Sequence, residues 1–374
     1  MTATAGRMRI TFLLPHYGWF PSGGFSVVYT YANLLSARGH EVHVTHPRRL
    51  PAGGWHPPRG VVGRARRVAR RVRDAMFRPS LSWARLNPAV HVHHVPRIAD
   101  AYLPDADVVI ATWWSTAEAA LTLSDRKGRR FHLIQGYEIW HGAEARVHDV
   151  WRAPLHKIFI ARWLQQKALE IGVDPAQTTL IPNAIDHRTF RVVAPIADRG
   201  PRVAMLHAPA PYKGAAIGLE ILRSARTQVP ELDAVLFGAG RAPRSLPSWI
   251  TYVRSASPEQ LRDDVYNRAS IYLCPSLSEG WHLPPAEAMA CGCAVVSSAI
   301  GGVADYAVDE ETALLFEPGN VAAGTRKLVA LLTDEPRRVA LAERGRDRIG
   351  QFSWERSTDR LVDLLRSAMS GRAA

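Results

Sequence analysis

Two glutamates eight positions apart are the residues whose type and spacing indicate chemistry most clearly. Residues 276–292 read Ser-Leu-Ser-Glu-Gly-Trp-His-Leu-Pro-Pro-Ala-Glu-Ala-Met-Ala-Cys-Gly. Glu279 falls in a loop that follows a predicted strand, and Glu287 falls in the helix that the Pro-Pro pair starts. The first carboxylate can therefore point into a cleft from the loop, while the second reaches it from the flank of the helix.

The start of that helix is also a predicted anion site. The backbone N–H groups of His282, Leu283 and Ala286 lie where a helix N-terminus can bind a phosphate. Two carboxylates that accept hydroxyl groups, on either side of a phosphate site, suit a sugar nucleotide.

This stretch resembles the signature of glycosyltransferase family 4, whose members have the two-domain GT-B fold. The family motif is Glu, seven residues, Glu, usually written around Glu-Gly-Phe-Gly-Leu-Pro and then Glu-Ala-Met-Ala-Cys-Gly. The matching positions are Glu279, Gly280, Leu283, Pro284, Glu287, Ala288, Met289, Ala290, Cys291 and Gly292. Residues 301–303 and 314–319 match as well, and the resemblance weakly covers the whole chain. It implies a retaining transfer of a sugar from a nucleoside diphosphate donor to an acceptor hydroxyl, with no metal and no cofactor.

The resemblance implies roles for three residues. Glu279 would bind hydroxyls of the donor sugar, and Glu287 the ribose hydroxyls. Lys213, in Pro-Tyr-Lys-Gly, would neutralise the diphosphate, and a cation there stabilises charge that develops in the transition state. Glu279 and Lys213 are therefore the predicted catalytic residues. His207 stands where the family usually has an arginine, and an imidazole offers no bidentate fork.

Further candidates come from glycine turns and from the first half of the chain. Residues 238–240 form a Gly-x-Gly turn, and Val253 lies where relatives touch the base. The predicted donor-binding residues are Glu287, His207, Gly24, Gly280, His282, Leu283, Pro284, Val253, Arg254 and Gly238. The segment Gln-Gly-Tyr-Glu resembles a rhamnosyltransferase branch of the family. The predicted acceptor or sugar contacts are Gly23, His16, Gln135, Tyr137 and Glu138.

Two series of short apolar runs alternating with helical periods must position these residues. The predicted strands are 8–14, 41–45, 107–112, 131–134, 157–160 and 178–181, and then 202–206, 232–237, 249–253, 270–274, 294–298 and 313–316. Such alternation is typical of parallel sheets. We expect an α/β GT-B fold of two doubly wound, Rossmann-like domains facing a central cleft. The expected division is an acceptor domain at 1–182, a hinge at 183–201, a donor-binding domain at 202–352, and a C-terminal helix at 353–374 that packs back towards the first domain.

The charge balance raises the question of an anionic partner. Lys and Arg total 47 against 34 acidic residues, a net charge of +13, and only five of the 47 are lysines. Within residues 61–77 an apolar stripe at helical spacing is surrounded by arginines. These are Arg64, Arg66, Arg67, Arg70, Arg71 and Arg73. This pattern suits an anionic membrane surface, a solvated helix docked on the domain, or a groove for a polyanionic acceptor.

Composition narrows the classes of protein. Cys274, Cys291 and Cys293 cannot build a disulfide framework, which predicts a reducing, cytoplasmic location; a zinc site that adds His282 is disfavoured. No run of 18 apolar residues occurs, and the N-terminus lacks the apolar stretch of a signal peptide, so we expect neither secretion by the usual route nor a membrane span. No nucleic-acid recognition module is visible, so nucleic acid is not an expected partner. Residues 105–107 read Asp-Ala-Asp, which we interpret as a loop rather than a metal site.

Three interpretations remain. The favoured one is a glycosyltransferase, with a glycan, a lipid-linked molecule or a small natural product as acceptor and peripheral contact with the cytoplasmic membrane face. The second is a sugar-nucleotide 2-epimerase of the same architecture. The third is a nonenzymatic protein that binds membranes or polyanions through the arginine-rich segment.

Overall fold

The computed structural model describes residues 6–17, 22–50, 69, 72, 76–77, 81, 83–139 and 144–371. By its internal contacts the chain divides into two units. The first comprises Met1–Pro182 with Glu355–Ala374, and the second comprises Asn183–Trp354.

The first unit is built on a parallel sheet. Its strands are β1 (Arg9–Leu13), β2 (Glu41–Pro47), β3 (Val90–Val95), β4 (Val108–Ala111), β5 (Arg129–Ile134), β6 (His156–Phe159) and β7 (Thr178–Leu180). Its helices are α1 (Gly23–Ala37), α2 (Trp114–Ala120), α3 (Glu144–Arg152), α4 (Arg162–Glu170) and, from the end of the chain, α9 (Trp354–Met369). The order of the strands across the sheet is β3-β2-β1-β4-β5-β6-β7.

The second unit repeats this plan. Its strands are β8 (Arg202–Leu206), β9 (Asp233–Gly238), β10 (Ile250–Arg254), β11 (Ile271–Cys274), β12 (Ala294–Ser298) and β13 (Leu314–Phe316), in the order β10-β9-β8-β11-β12-β13. Its helices are α5 (Ala215–Gln228), α6 (Leu283–Ala290), α7 (Val321–Thr333) and α8 (Glu335–Ile349), with a π-helical turn at Leu261–Tyr266.

The strand order reverses once in each sheet. In the second unit β8 lies between β9 and β11, and every paired strand is parallel. Ligands of open α/β sheets bind at the carboxyl ends of the strands at such a reversal. A ligand site is therefore expected in the loops that follow β8 and β11.

The sheets form because their strands are apolar on both faces. Strands β8, β11 and β12 are almost wholly buried, as expected for a parallel sheet covered by helices on both sides. The predicted α/β class with two such sheets is confirmed. The edge strand β3, absent from the prediction, carries three histidines at positions 91, 93 and 94 that interrupt the apolar pattern.

Two predicted segments are placed by their contacts. Residues 183–201, predicted as the hinge, lie wholly in the second unit. There the guanidinium of Arg199 is buried and donates hydrogen bonds to Asn267 and to the carbonyl of Cys291. The final helix, predicted from residue 353, begins at Trp354, and from Glu355 onward it belongs to the first unit.

Candidate functional site

The loops that follow β8 and β11 touch each other at the reversal point of the second sheet. The N–H of Leu277 donates a hydrogen bond to the carbonyl of Tyr212 at 2.7 Å. Gly214 has a φ of 62°, and a Cβ there would lie 2.0 Å from the carbonyl oxygen of Pro275. A side chain is excluded by both the left-handed backbone and the contact, so this glycine brings the two loops together.

Lys213 and Glu279 meet where these loops touch. The Nζ of Lys213 lies 2.8 Å from each carboxylate oxygen of Glu279. The side chains are 21% and 8% exposed, respectively. The hydroxyl of Ser276 donates to Oε1 of Glu279 at 2.9 Å. An almost buried carboxylate is thus neutralised by a lysine that keeps access to solvent.

A second glycine lets another loop approach the backbone of Glu279. A Cβ on Gly302 would lie 2.7 Å from the Cβ of Glu279 and 2.8 Å from its carbonyl oxygen. The loop after β12 therefore covers Glu279 at a distance that only glycine allows. This contact fixes the main chain from which the carboxylate projects.

His282 caps the start of α6 from an unusual conformation. Its φ is 57°, in the left-handed region that favours glycine. The hydroxyl of Tyr306 donates to the carbonyl oxygen of His282 at 2.8 Å. The Nδ1 atom lies 3.3 Å from the sulfur of Cys274, and Nε2 lies 3.4 Å from Oε1 of Glu279. Burial lowers the pKa of the imidazole to about 4, so the ring is neutral at physiological pH.

Glu287 projects from α6 and bonds to the π-helical turn. The hydroxyl of Tyr266, which is fully buried, donates to Oε2 of Glu287 at 3.0 Å. Burial raises the pKa of this carboxyl to about 7. Its charge is therefore sensitive to ligands and to pH near neutrality.

The remaining donor candidates lie on and after β8, β9 and β10. The N–H of His207 donates to the carbonyl of Phe237, and a Cβ on Gly238 would lie 2.2 Å from the carbonyl oxygen of His207. Val253 pairs with Phe237 across the sheet, and Arg254, which is exposed, pairs with Gly238. All four predicted residues thus share the carboxyl edge of this sheet. Gly280, Leu283 and Pro284 lie beside Glu279 and at the start of α6.

The candidates in the first unit form a separate group at the carboxyl edge of its sheet. Gln135, directly after β5, donates to the carbonyl of Gly24 at 3.2 Å, next to Gly23, the first residue of α1. The hydroxyl of Tyr137 bonds to Glu144 at 3.1 Å and lies 2.6 Å from Nε2 of His148.

Glu138 and His16 differ strongly in their surroundings. Glu138 is buried and accepts a hydrogen bond from the N–H of Trp114 at 3.0 Å, and burial raises the pKa of its carboxyl to about 8. His16 is exposed, and its ring centroid lies 5.0 Å from that of Phe25.

The arginine-rich segment is described at only a few positions. Arg64, Arg66, Arg67, Arg70, Arg71 and Arg73 lie outside the described residues. Val72, Met76 and Phe77 are 50%, 68% and 59% exposed. No helix among the described residues is long and apolar enough to cross a membrane.

The acidic residues considered for a metal have cationic partners instead. Asp105 bonds to Arg126 and Lys127, and Asp107 bonds to Arg9. Within the described part of the chain, no three or more His, Cys, Asp or Glu side chains are grouped as metal ligands would be.

Three site residues were not predicted from the sequence, namely Tyr266, Ser276 and Tyr306, and Cys274 was considered only as part of the disfavoured zinc set. Ser276 lies three positions before Glu279 and was within the quoted motif, so its hydroxyl was a signal that could have been used. Tyr266 and Tyr306 reach the site across 21 and 24 positions, respectively. No local pattern marks such contacts.

Comparison with known proteins adds a family match. Residues 186–348, all in the second unit, match the family described as glycosyl transferases group 1. D-inositol 3-phosphate glycosyltransferase of Corynebacterium aurimucosum is 34% identical over 31% of this chain and 28% of that protein. Phosphatidyl-myo-inositol mannosyltransferase of Mycolicibacterium smegmatis is 25% identical over 93% of this chain and 90% of its own length. In four inositol phosphate glycosyltransferases the matched stretch spans 24% to 34% of the relative.

Solved structures share the fold over nearly the whole chain. Sucrose-phosphate synthase from Thermosynechococcus elongatus matches with a TM-score of 0.71 and 19% identity, over 98% of this chain and 100% of that one. Anabaena HepE in complex with UDP and glucose matches with a TM-score of 0.70 and 14% identity, over 96% and 100%. The predicted GT-B fold class is confirmed, and the family match together with the relatives supports a glycosyltransferase.

Proposed function

We propose that this protein is a retaining glycosyltransferase that transfers a sugar from a nucleoside diphosphate sugar to an acceptor hydroxyl. The observation that carries the proposal is the Lys213–Glu279 ion pair at the strand reversal of the second sheet. The solvent-accessible ammonium of Lys213 suits the diphosphate of a donor. The almost buried carboxylate of Glu279 suits the hydroxyls of the donor's sugar.

The proposed roles follow from the negative charge that develops on the leaving diphosphate. The bond between the anomeric carbon and the diphosphate oxygen breaks, and a bond from the acceptor oxygen forms on the same face. The departing diphosphate takes the acceptor's proton. Lys213 stabilises the negative charge that grows on the leaving group, where an oriented cation acts most strongly. Lys213 must exchange the carboxylate of Glu279 for the diphosphate to do so.

Glu287 extends the proposed donor site to the nucleoside. Its carboxyl accepts one hydrogen bond from Tyr266 and has a pKa of about 7. A ribose diol would donate to the ionised form. The HepE complexes with UDP and glucose and with UDP-glucose favour a uridine donor here; a guanosine donor would also supply the diol.

Acceptor contacts are proposed for the first unit. Gln135 and Gly24 already lie together, and Tyr137 and Glu138 follow on the same loop. The acceptor is a glycan, a lipid-linked molecule or a small natural product. The chemistry needs neither a metal nor a resident cofactor, and we propose that the enzyme works without them in the cytoplasm, where its three buried thiols stay reduced.

A donor panel tests the function. Purified protein is mixed with UDP-glucose, GDP-mannose and dTDP-rhamnose, and the melting temperature is measured, because a ligand that binds only the native state raises it. We expect one donor to stabilise the wild type and to fail with Lys213→Ala. No stabilisation by any sugar nucleotide at millimolar concentration would contradict the proposal.

Product analysis tests whether the transfer retains the anomeric configuration, and whether the protein is a 2-epimerase instead of a transferase. The stabilising donor is incubated with and without acceptors, and proton NMR follows the anomeric signals. A first-formed product with the donor's anomeric configuration supports retention. Conversion of the donor to its C2 epimer without an acceptor would establish the epimerase instead.

A further inference from the structure

The side chain of His282 has a role that its place in the motif does not explain. Its imidazole is 3% exposed and lies between the thiol of Cys274 and the carboxylate of Glu279. Its Nε2 is inaccessible to solvent and makes no hydrogen bond to any residue that the structure describes. A buried polar atom without a hydrogen bond is uncommon and requires an explanation. Oε1 of Glu279 lies 3.4 Å from this nitrogen.

The proton on the neutral ring can be assigned from its neighbours. The thiol of Cys274 is protonated, because burial raises its pKa to about 11. If Nδ1 carried the proton, the lone pair of Nε2 would face the anionic oxygen of Glu279. If Nε2 carries it, Cys274 donates to Nδ1 and an N–H faces the carboxylate. Only the second arrangement avoids electrostatic repulsion, which favours the tautomer with the proton on Nε2.

The main-chain conformation at His282 indicates that the imidazole has a function. The backbone is left-handed, with a φ of 57°, and the motif that this stretch resembles has glycine at this position. A non-glycine residue in that conformation is strained, and such strain is characteristic of functional positions. Tyr306 holds the carbonyl of His282, and the neighbouring Trp281 is buried against Tyr306 with ring centroids 4.8 Å apart.

Donor binding creates the need for such a residue. Among the residues that the structure describes, the carboxylate of Glu279 has two side-chain hydrogen-bonding partners, Lys213 and Ser276. Once Lys213 turns to the diphosphate, Ser276 alone would hold a nearly buried carboxylate. A buried charge that loses its partner is costly, and the group then moves or takes up a proton.

We propose that His282 is a positioning residue for Glu279: its Nε2–H, set by the thiol of Cys274, hydrogen-bonds to the carboxylate when Lys213 engages the donor. This inference rests on the proposed function. His282 acts by orienting the carboxylate of Glu279, and its imidazole exchanges no proton with the substrate.

The first test needs no turnover. Nitrogen-15 NMR of histidine-labelled protein reports the tautomer, and His282→Gln identifies the signal by its loss. We expect an Nε2–H ring at pH 7 and a downfield shift of that proton when UDP is added. An Nδ1–H ring, or a proton unmoved by saturating UDP, would overturn the proposal. These results stay interpretable even if no donor is turned over, which would instead refute the proposed function.

The second test separates positioning from packing. His282→Gly removes the imidazole and relieves the strained backbone. We expect kcat to fall about tenfold to fiftyfold, with the affinity for UDP within twofold of the wild type and no loss of melting temperature. His282→Gln, which retains an N–H donor, should recover part of kcat. An unchanged kcat in His282→Gly, or a loss confined to donor affinity, would contradict the role.

Two buried cysteines supply a matched control. Cys274→Ala removes the thiol that sets the ring, and we expect a threefold to tenfold fall in kcat. Cys293 is equally buried but bonds to the carbonyls of Tyr266 and Ala269. Cys293→Ala should therefore leave kcat within twofold of the wild type. Equal effects of the two substitutions would show that the cysteines act through packing alone.

Discussion

Lys213 and Glu279 neutralise each other across 66 positions of the chain. The side chain of Glu279 is less exposed than that of Lys213, so the carboxylate depends more on the contact. The same two groups are those that a sugar diphosphate would engage. Under the proposed function, the ion pair holds both residues in place until the donor replaces it.

A charge-neutral substitution tests Glu279. Glu279→Gln keeps the shape and one carbonyl acceptor but removes the negative charge. We expect kcat to fall by about a hundredfold or more, the order seen when one oriented electrostatic group is removed from a transition state. Circular dichroism and the melting temperature should change little. Glu343→Gln, at an exposed position on α8, serves as the control; near-normal transfer by Glu279→Gln would exclude the assigned role.

We expect donor affinity to depend on pH because of Glu287. Its folded-state pKa of about 7 is above the ordinary carboxyl value, because burial favours the neutral form. Ribose hydroxyls donate best to the ionised form. We expect the affinity for UDP-glucose, measured by calorimetry, to rise between pH 6 and pH 8. Glu287→Gln should bind with a flat profile over this range, and an unchanged slope in that variant would assign the dependence to another group.

The same shift predicts a trend in stability. A carboxyl whose folded pKa is raised contributes stability that is complete below its unfolded pKa and is lost as the pH rises through the folded value. The window for Glu287 is therefore from about pH 4.5 to pH 7. We expect the ligand-free wild type to lose melting temperature relative to Glu287→Gln across this window. A constant difference would show that Glu287 does not titrate there.

At the scale of elements, three loops meet around Glu279 because glycines allow close contact between them. The turn after β8 ends at Gly214, which is pressed against the carbonyl of Pro275 after β11. Gly302, after β12, closes on Glu279 in the same way. Three parallel strands thus contribute one loop each to a single carboxylate.

Gly214→Ala tests this arrangement. The new Cβ would meet the carbonyl of Pro275 at 2.0 Å in a left-handed backbone, so the loop with Lys213 must move. We expect a loss of about 2 kcal/mol or more in the free energy of unfolding, together with loss of UDP binding. Urea denaturation and calorimetry measure the two effects. Gly200→Ala, in the same unit with nothing within 4 Å of its Cβ, should match the wild type in both.

At the scale of the whole molecule, part of the net charge of +13 comes from a cluster of arginines in the sequence. Six arginines fall within ten positions of the chain, and Val72, Met76 and Phe77, which are exposed apolar residues, lie within or just after this stretch of the sequence. Basic and apolar residues together suit the surface of an anionic membrane. We propose peripheral association on this ground.

Liposome flotation measures that association. Wild-type protein should float with vesicles that contain about a third anionic lipid and should remain behind with neutral vesicles. Changing Arg66, Arg67, Arg70 and Arg71 to serine should abolish recovery, since each arginine near the surface contributes roughly 1 kcal/mol. The control for net charge also removes four arginines, by changing the exposed residues Arg223, Arg268, Arg326 and Arg360 to serine. Equal recovery of the fourfold variant would rule out an electrostatic contact through this segment.

Local patterns were enough to predict much of the fold. The strands β8 and β12 have the predicted bounds, and the other predicted strands fall within two residues of theirs at each end, because continuous apolar runs are typical of doubly covered sheets. The edge strand β3 escaped because its alternating histidines resemble a polar segment. What fixes β3 in the sheet is its pairing with β2, which is a long-range contact.

The sequence by itself determined which residues could do chemistry: the spacing of Glu279 and Glu287, and the turn that carries Lys213, are local features. Only the tertiary structure decided which side chains these residues bind. Strand order brings β8 beside β11 and so joins Lys213 to Glu279, and packing of α6 sets Tyr266 against Glu287. The thiol of Cys274, predicted only as part of a disfavoured zinc set, instead faces the ring of His282. The physical reason is that burial and strand order, unlike helix starts and turns, depend on residues far apart in the chain.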